Sequence, residues 1–391
     1  LQAGHLYESF VTPEEMAAMN VANGRDPKQG YDNHERELSA QQRQAYLDEG
    51  RIPALRLRVP EVDLSFSDLI RGDVSFPQGS TIDFVAVRGG GKPLYTFVNP
   101  LDDALMGITH VLRGEDLLSS TPRQLALYHA LGEVGIAHHL PRFAHLPYVM
   151  GEGNKKLSKR DVESNLFHHR DRGFIAEGLL NYLSLLGWSL APDRDVFSMD
   201  EMVAAFDVTS VNPNPARFDL KKAESINGDH LRLLSPEDFQ ARTLPYLESA
   251  GVLSEPVSEE DMAKLTQIMP HVQERVGLLG EVPDLIRFVF LADDAIEIEA
   301  DARKTLQDSS ASVLEAAIAA LEGLETWNTA SVEDVLRAAI VETMEISPRH
   351  AFGPLRVAIS GRRISPPLFE SMEVLGRESS LARLRRLRAA L

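Results

Sequence analysis

The 391 residues contain no cysteine. That one absence removes disulfides, thiolate zinc sites and a cysteine nucleophile. Long apolar runs are missing too. No stretch approaches the ~18 consecutive apolar residues that a membrane span needs, and the most apolar text, such as Leu285 to Leu291, carries charge within it. No basic-plus-apolar leader is visible, and the expected address is the cytoplasm. Positive charge is also scarce: 40 Lys and Arg face 58 Asp and Glu, a net of −18. A protein that coats nucleic acid without specificity needs the opposite balance, so that class is excluded.

What remains is the composition of an ordinary globular protein, 43% hydrophobic and 25% charged. At ~150 residues per domain, the length suggests two to four domains. The charge is unevenly spread. Segment 236–303 holds 15 acidic and 5 basic side chains, whereas 356–391 holds 8 Arg against 3 Glu. The basic end is either an anion-contact face or an amphipathic helix with Leu381, Leu384 and Leu387 turned inward.

Periodicity places the elements. The opening text LQAGHLYESF reads as helical. Thr12-Pro13-Glu14-Glu15 is a capping box that starts a helix running to about Asn23. Residues 54–60 alternate like a half-buried strand. Gly89 to Pro93 should reverse the chain between strands at Phe84–Arg88 and Leu94–Val98. Strand text at Ile108–Leu112, a helix opened by Ser120-Thr121-Pro122, and a strand over 143–150 make a strand–helix–strand unit. Such a unit pairs its strands in parallel and puts function at their carboxyl ends. Ile175, Leu179, Leu183 and Leu186 share one helix face that Gly187 closes, and Ser198 with Glu201 makes another capping box. Beyond residue 151 the text is mainly helical. Nothing in the first eighty residues stands out as catalytic, and there is no internal repeat.

The densest cluster of charge and hydroxyl is Lys155-Lys156-Leu157-Ser158-Lys159-Arg160, on a glycine-flanked loop. Mobile lysines there can follow charge from a reacting phosphate to a leaving group. A solvated surface loop has the same composition. The histidine pairs His138-His139 and His168-His169 are poor metal sites, because adjacent side chains diverge and no cysteine assists.

The order of the loop decides between the two. Lys-Leu-Ser-Lys-Arg, after an α/β unit and before a helical region, resembles the KMSKS signature of class I aminoacyl-tRNA synthetases. LYTFVNPLDDALMGITHVLRGEDLLSSTPRQLALYHALG and FAHLPYVMGEGNKKLSKRD resemble the second half of the glutamyl-tRNA synthetase catalytic domain. GFIAEGLLNYLSLLGW, FDLKKAESINGDHLR and PLRVAISGRRISPPLFESMEVLGRE resemble later blocks of the same bacterial family.

That resemblance implies a multidomain α/β plus α fold: the second half of a Rossmann-like class I catalytic domain with an acceptor-stem insertion, then a mainly α-helical stem-contact and anticodon-binding region. The expected boundaries are 1–92 for the insertion, 93–150 for the catalytic half, 151–232 for the signature loop with the stem-contact domain, and 233–391 for the anticodon region. It implies ATP-dependent ligation of L-glutamate to tRNA through a glutamyl-adenylate, with ATP and Mg²⁺, no zinc and no membrane. tRNA(Glu) is the implied partner of a monomer, with tRNA(Gln) left open. Lys156 and Lys159 would stabilise charge on ATP. Tyr95, Arg113 and Asp116 would hold the amino acid, with Asp116 standing where the family more often has Glu. Tyr148, Val149, Ser158 and Lys159 would contact ATP, the first two through backbone to adenine. Arg275, Arg383, Arg385 and Arg386 would contact tRNA. Plainer roles exist for each: Tyr95 as a strand aromatic, Arg113 capping a helix or pairing with Glu115 or Asp116, and Arg275 pairing with Glu274 or Glu281. A glutaminyl enzyme fits less well, since its anticodon region is built of β-barrels. The short paralogue that glutamylates a tRNA base lacks the long helical half.

The family's HIGH tetrad does not occur in the 391 residues. With Leu1 in place of Met, this reads as a chain shortened at its N-terminus, and the alternative function is a noncatalytic tRNA-binding fragment or scaffold. The expected outcome is that residues 1–391 alone give no tRNA-dependent ATP–pyrophosphate exchange. The same residues preceded by a HIGH-bearing segment should give it, and robust exchange by the chain alone would overturn the expectation.

Overall fold

The computed structural model describes every residue except Glu152, Asn154 and Lys159, and every side chain among the rest except that of Glu163. It separates into two compact units. One comprises Leu1–Lys156, Leu186–Trp188 and Ala205–Phe218, and the other Leu157–Leu185, Ser189–Ala204 and Asp219–Leu391.

The first unit is α/β. Its strands are β1 (Leu6–Ser9), β2 (Ala54–Leu57), β3 (Leu64–Asp68), β4 (Gly72–Phe76), β5 (Phe84–Val87), β6 (His110–Gly114), β7 (Arg142–Leu146), β8 (Val149–Met150) and β9 (Ala216–Arg217). Its helices are α1 (Pro13–Ala22), α2 (Ala40–Asp48), α3 (Tyr95–Met106) and α4 (Thr121–Glu133). An antiparallel sheet runs β1-β2-β5, and a four-stranded sheet runs β4-β3-β7-β6. In the second sheet β3, β7 and β6 are parallel, and β4 closes the edge antiparallel to β3. The expected strand–helix–strand unit is therefore β6–α4–β7, with His110 opposite Arg142 and Gly114 opposite Leu146. Leu125, Leu127 and Leu131 of α4 are buried with Phe66 and Phe143 of the sheet.

Two expectations for this unit are corrected. The opening ten residues are not helical. Leu6–Ser9 is a strand whose inward positions are the polar Tyr7 and Ser9, hydrogen-bonded to Asp83 at 2.7 Å and Glu35 at 2.5 Å. A polar buried face conceals the period of two. The stretch 94–98 is likewise not a return strand. The reversal does form, through Arg88 N–H to Lys92 O at 2.8 Å and a single bridge from Val87 to Pro93, and the chain then enters α3. Phe97, Leu101 and Ala104 recur at helical spacing and pack on the core that includes α4, and that tertiary contact outweighs the short alternation at 94–98. The capping box at Thr12 and Glu15 forms as read.

The second unit is helical: α5 (Leu166–Arg172), α6 (Ala176–Ser184), α7 (Met199–Ala205), α8 (Leu220–Leu233), α9 (Pro236–Ser249), α10 (Glu259–Gln273), α11 (Val282–Ile286), α12 (Ala300–Arg303), α13 (Ser310–Glu322), α14 (Thr329–Leu336), α15 (Pro348–Ser360) and α16 (Leu368–Ala389). Ser198 and Glu201 cap α7 reciprocally, at 2.9 and 3.2 Å. The core runs through Phe239, Leu265, Ile268, Val313 and Leu314, and Leu381, Leu384 and Leu387 of α16 enter it. The basic terminus is thus an amphipathic helix.

Gly173 sets how closely two parts of this unit approach. It ends α5 with φ +104°, and its carbonyl accepts from Leu279 N–H at 3.0 Å. A Cβ there would collide with the backbone nitrogens of Leu279 and Gly280. Gly173→Ala should therefore cost about 2–3 kcal/mol, from the left-handed backbone and the clash together. Urea unfolding measures this, and a loss under about 0.5 kcal/mol, the ordinary level for a surface substitution, would overturn it.

Candidate active site

The carboxyl ends of the parallel strands β3, β6 and β7 bring three polar side chains together. Asp68 ends β3, Arg113 lies near the end of β6, and His145 near the end of β7. Asp68 and His145 are buried, at 3% and 0% exposure. Asp68 Oδ1 accepts the backbone N–H groups of Ile70, Arg71 and His145 at 3.0, 3.0 and 3.2 Å. Its Oδ2 lies 2.6 Å from His145 Nδ1. On the far side of the ring, Arg113 Nε donates to His145 Nε2 at 3.1 Å, and Arg113 Nη2 donates to Thr121 Oγ1 at 2.8 Å. Burial works to raise the Asp68 pKa, but the bonds from His145 and the backbone amides hold it below the usual carboxylate range. Burial lowers the His145 pKa; the bond to Asp68 resists this and the Arg113 charge adds to it. At neutral pH the arrangement is a carboxylate, a neutral imidazole and a guanidinium in series.

Arg113 Nη1 is buried and has no hydrogen-bond partner among the described residues. Burial lowers the Arg113 pKa, while the Tyr95 phenol and the carboxylates of Asp103 and Asp68 oppose the shift. Tyr95 and Arg113 are therefore neighbours. Tyr95 is the first residue of α3 and 56% exposed, so it is not a sheet aromatic. Arg113 neither pairs with Glu115 nor caps α4, because its donors turn to His145 and Thr121. Tyr128 adds a second buried, unpartnered polar atom, its hydroxyl. Burial first, then nearby Asp103, pushes its pKa up to about 12.

Glu115 follows β6 directly and ties the two strand ends together. Its Oε1 accepts Tyr148 N–H at 2.9 Å and its Oε2 pairs with Arg71. Tyr148 O accepts from Ala216 N at 3.1 Å, so both backbone groups of Tyr148 are engaged. In the β8–β9 ladder alternate residues face opposite ways, which turns the amide and carbonyl of Val149 away from β9. Lys156 Nζ lies 3.6 Å from Asp116 and 4.1 Å from the centre of the Tyr148 ring. Both carboxylate and ammonium are about half exposed, so the ion pair itself contributes little, ~0–1 kcal/mol. In the helical unit, Ser158 N donates to Asp161 at 2.6 Å and Ser158 Oγ accepts Arg160 N at 3.2 Å. Lys159 lies outside the described residues.

The tRNA-contact expectations divide. Arg275 is exposed, and Glu281 does not pair with it; Glu281 instead accepts the N–H groups of Gly277 and Leu278 at 2.9 and 3.2 Å. Arg356 is nearby, and its pKa is lowered by burial and then by the Arg275 charge. Arg383 is corrected. Its side chain is 1% exposed and donates to the carbonyls of Phe288, Ile359 and Leu291 at 2.9–3.0 Å and to Asp293 at 2.7 Å. With its donors so used it anchors α16 and has no surface to offer a phosphate. Arg385 stays exposed, paired with Glu322 at 2.6 Å, and Arg386 donates to Asp293 O and Ile296 O at 2.9 Å each.

Asp68, Thr121, His145 and Glu115 were not read from the sequence as site residues. A signal for Asp68 existed: Leu64, Phe66 and Asp68 occupy the buried parity of β3, so an acid stands where an apolar side chain belongs. His145 carried no such mark. Among the described residues no group of three or more His, Asp or Glu is arranged to hold a metal, and no helix is long and apolar enough to cross a membrane.

Comparison with known proteins assigns the chain to a family. Residues 1–225 match the model of tRNA synthetases class I (E and Q), catalytic domain, and residues 238–388 match an anticodon binding domain. A glutamate–tRNA ligase of Leifsonia xyli is 65% identical over the whole chain, which spans 80% of that relative. A glutamate–tRNA ligase of Clavibacter sepedonicus is 63% identical, with 77% of it spanned. A crystal structure of a glutamate tRNA ligase from Elizabethkingia meningosepticum in complex with its amino acid aligns with a TM-score of 0.82 at 28% identity, over 99% of this chain and 80% of that one. The chain belongs to the glutamate–tRNA ligase family of class I aminoacyl-tRNA synthetases, with a catalytic-domain match followed by an anticodon-binding match.

Proposed function

We propose that these residues serve the ATP-dependent ligation of L-glutamate to tRNA(Glu), in the cytoplasm and as a monomer. The observation that carries the reading is the buried, unpartnered Nη1 of Arg113 beside Tyr95. A guanidinium with an unfilled donor at Nη1 suits a carboxylate, which it grips bidentately. In this reading the α-carboxylate of glutamate attacks the α-phosphorus of ATP, the bond to pyrophosphate breaks, and a glutamyl-adenylate results. A terminal ribose hydroxyl of tRNA then attacks the acyl carbon and AMP leaves. Arg113 and Tyr95 hold the amino acid, with Asp116 beside them. Lys156, tethered near Asp116 and Tyr148, and Lys159 of the signature loop stabilise charge as it moves onto pyrophosphate. The amide of Val149, turned away from β9, suits the edge of adenine, and Ser158 offers a hydroxyl. Mg²⁺ would arrive with the ATP phosphates, as it commonly does. Residues 1–92 are assigned to the acceptor stem, 93–150 to the catalytic half, 151–232 to the signature loop and stem contact, and 233–391 to the anticodon.

In a HIGH-bearing form of the chain, Arg113→Ala should raise the KM for glutamate roughly 10–100-fold, the value of a lost charge-assisted pair. Lys159→Ala should instead lower the activation rate about 100-fold with little effect on tRNA affinity. Single-turnover measurements read both, and an unchanged activation rate in the lysine variant would leave the loop a solvated surface segment.

For the helical unit, Arg275 is the proposed base contact, supported by its exposure and by the second cation, Arg356, beside it. Arg385 and Arg386 are the proposed phosphate contacts; Arg383 no longer is. A base contact discriminates between sequences, whereas a phosphate contact weakens all tRNAs alike. Arg275→Ala should narrow the preference for cognate over anticodon-swapped tRNA. Neutralising Arg385 and Arg386 should reduce the salt dependence and leave preference unchanged. Affinities for both tRNAs at two salt concentrations decide the matter, and equal losses for both in the Arg275 variant would remove its role in reading.

A further inference from the structure

We propose that Asp68 and His145 are a positioning pair that fixes the Arg113 guanidinium for the substrate carboxylate, with His145 held as the neutral tautomer protonated on Nδ1. The inference rests on the reading of Arg113 as the glutamate-binding arginine. It is carried by the direction of each hydrogen bond. Asp68 Oδ1 is filled by three backbone N–H donors, and Oδ2 faces Nδ1 at 2.6 Å. A carboxylate in that place can only accept, so Nδ1 carries the proton. Nε2 is then a lone pair, and it accepts from Arg113 Nε at 3.1 Å. The opposite tautomer would set two N–H groups against each other at that distance.

Thr121 completes the hold. Its Oγ1 accepts from Arg113 Nη2 at 2.8 Å and sits 3.1 Å from His145 Nε2. The Nε–Nη2 side of the guanidinium is thereby clamped to the sheet. The Nη1–Nη2 end is left for a ligand, and Nη1 is the atom without a partner. The Phe143 ring lies 5.7 Å from the guanidinium carbon and stacks at 13° to the imidazole, so ring and cation share one rigid wall. Asp68 touches neither the guanidinium nor the free end. It acts through the imidazole, by choosing which ring nitrogen presents a lone pair.

The pair is tested first on the 391-residue chain with ¹⁵N-labelled histidine. His145 should show a protonated Nδ1 and a bare Nε2; an Nε2–H tautomer or an imidazolium at neutral pH overturns the proposal outright. In Asp68→Asn the carboxamide oxygen keeps the backbone amides, its NH₂ faces Nδ1, and the proton should move to Nε2. In the HIGH-bearing form that variant should raise the KM for glutamate about tenfold, the loss of one hydrogen bond to a charged group, and leave the KM for ATP unchanged. An unchanged glutamate KM, or equal rises for both substrates, refutes positioning. Should Asp68→Asn fail to fold, His145→Phe, which keeps a ring and deletes the acceptor, is read by the same criteria. Arg113→Ala separates the two ideas. If it leaves the glutamate KM unchanged, the reading of Arg113 falls while the tautomer stands. If it raises that KM and Asp68→Asn does not, the positioning pair alone falls.

Discussion

A carboxylate taken out of water has to be met at every lone pair, and Asp68 is met by three backbone amides and an imidazole. The geometry of the α/β unit follows from that demand. The turn after β3 must fold back so that Ile70 and Arg71 present their N–H groups. β7 must lie in parallel register so that the His145 amide and ring reach the same acid. Once the imidazole is oriented, it holds Arg113 from β6. Three strand ends are thus tied by one charge. A sheet that packed as well but shifted β7 by one residue would turn His145 to the other face and leave the acid unmatched, a penalty of several kcal/mol for a buried ion.

The helical unit solves a similar problem with the opposite sign. Arg383 is drawn almost wholly inside, and three carbonyls plus Asp293 receive its donors. Leu381, Leu384 and Leu387 would by themselves let α16 slide along its groove, since dispersion contacts are nondirectional. The buried guanidinium fixes the axial position. Its planar fork makes arginine suited to this, where a lysine ammonium could satisfy fewer carbonyls at fixed angles.

Much of this was legible in the sequence where chemistry and periodicity agree. The capping boxes at Thr12 and Ser198, the β6–α4–β7 unit and the inward leucines of α16 all express patterns whose buried positions are apolar or whose caps are local. The α-helix at Tyr95 and the strand at Leu6 were misread because their local text is ambiguous and tertiary contacts decide. Family motifs point as far as Arg113 and the loop at 155–160. What escaped was the support behind Arg113. Asp68 and His145 are 77 positions apart, and no local pattern links them. Arg383 was misjudged for the same reason, because a run of arginines does not show which one the helix turns inward.

That separation also governs when the arginine can be set. A chain emerging from the ribosome at ~5–20 residues per second leaves Asp68 roughly 4–15 s in water before its histidine is made. Within that interval β3 and β4 can pair as a hairpin, since their register is local, and Arg113, made 45 residues after Asp68, waits a further 32 residues for its imidazole anchor. The orientation of the Arg113 guanidinium is therefore among the last features of these strand ends to be set. A chain that stopped short of residue 145 would keep the β3–β4 pairing and lack the imidazole that orients Arg113.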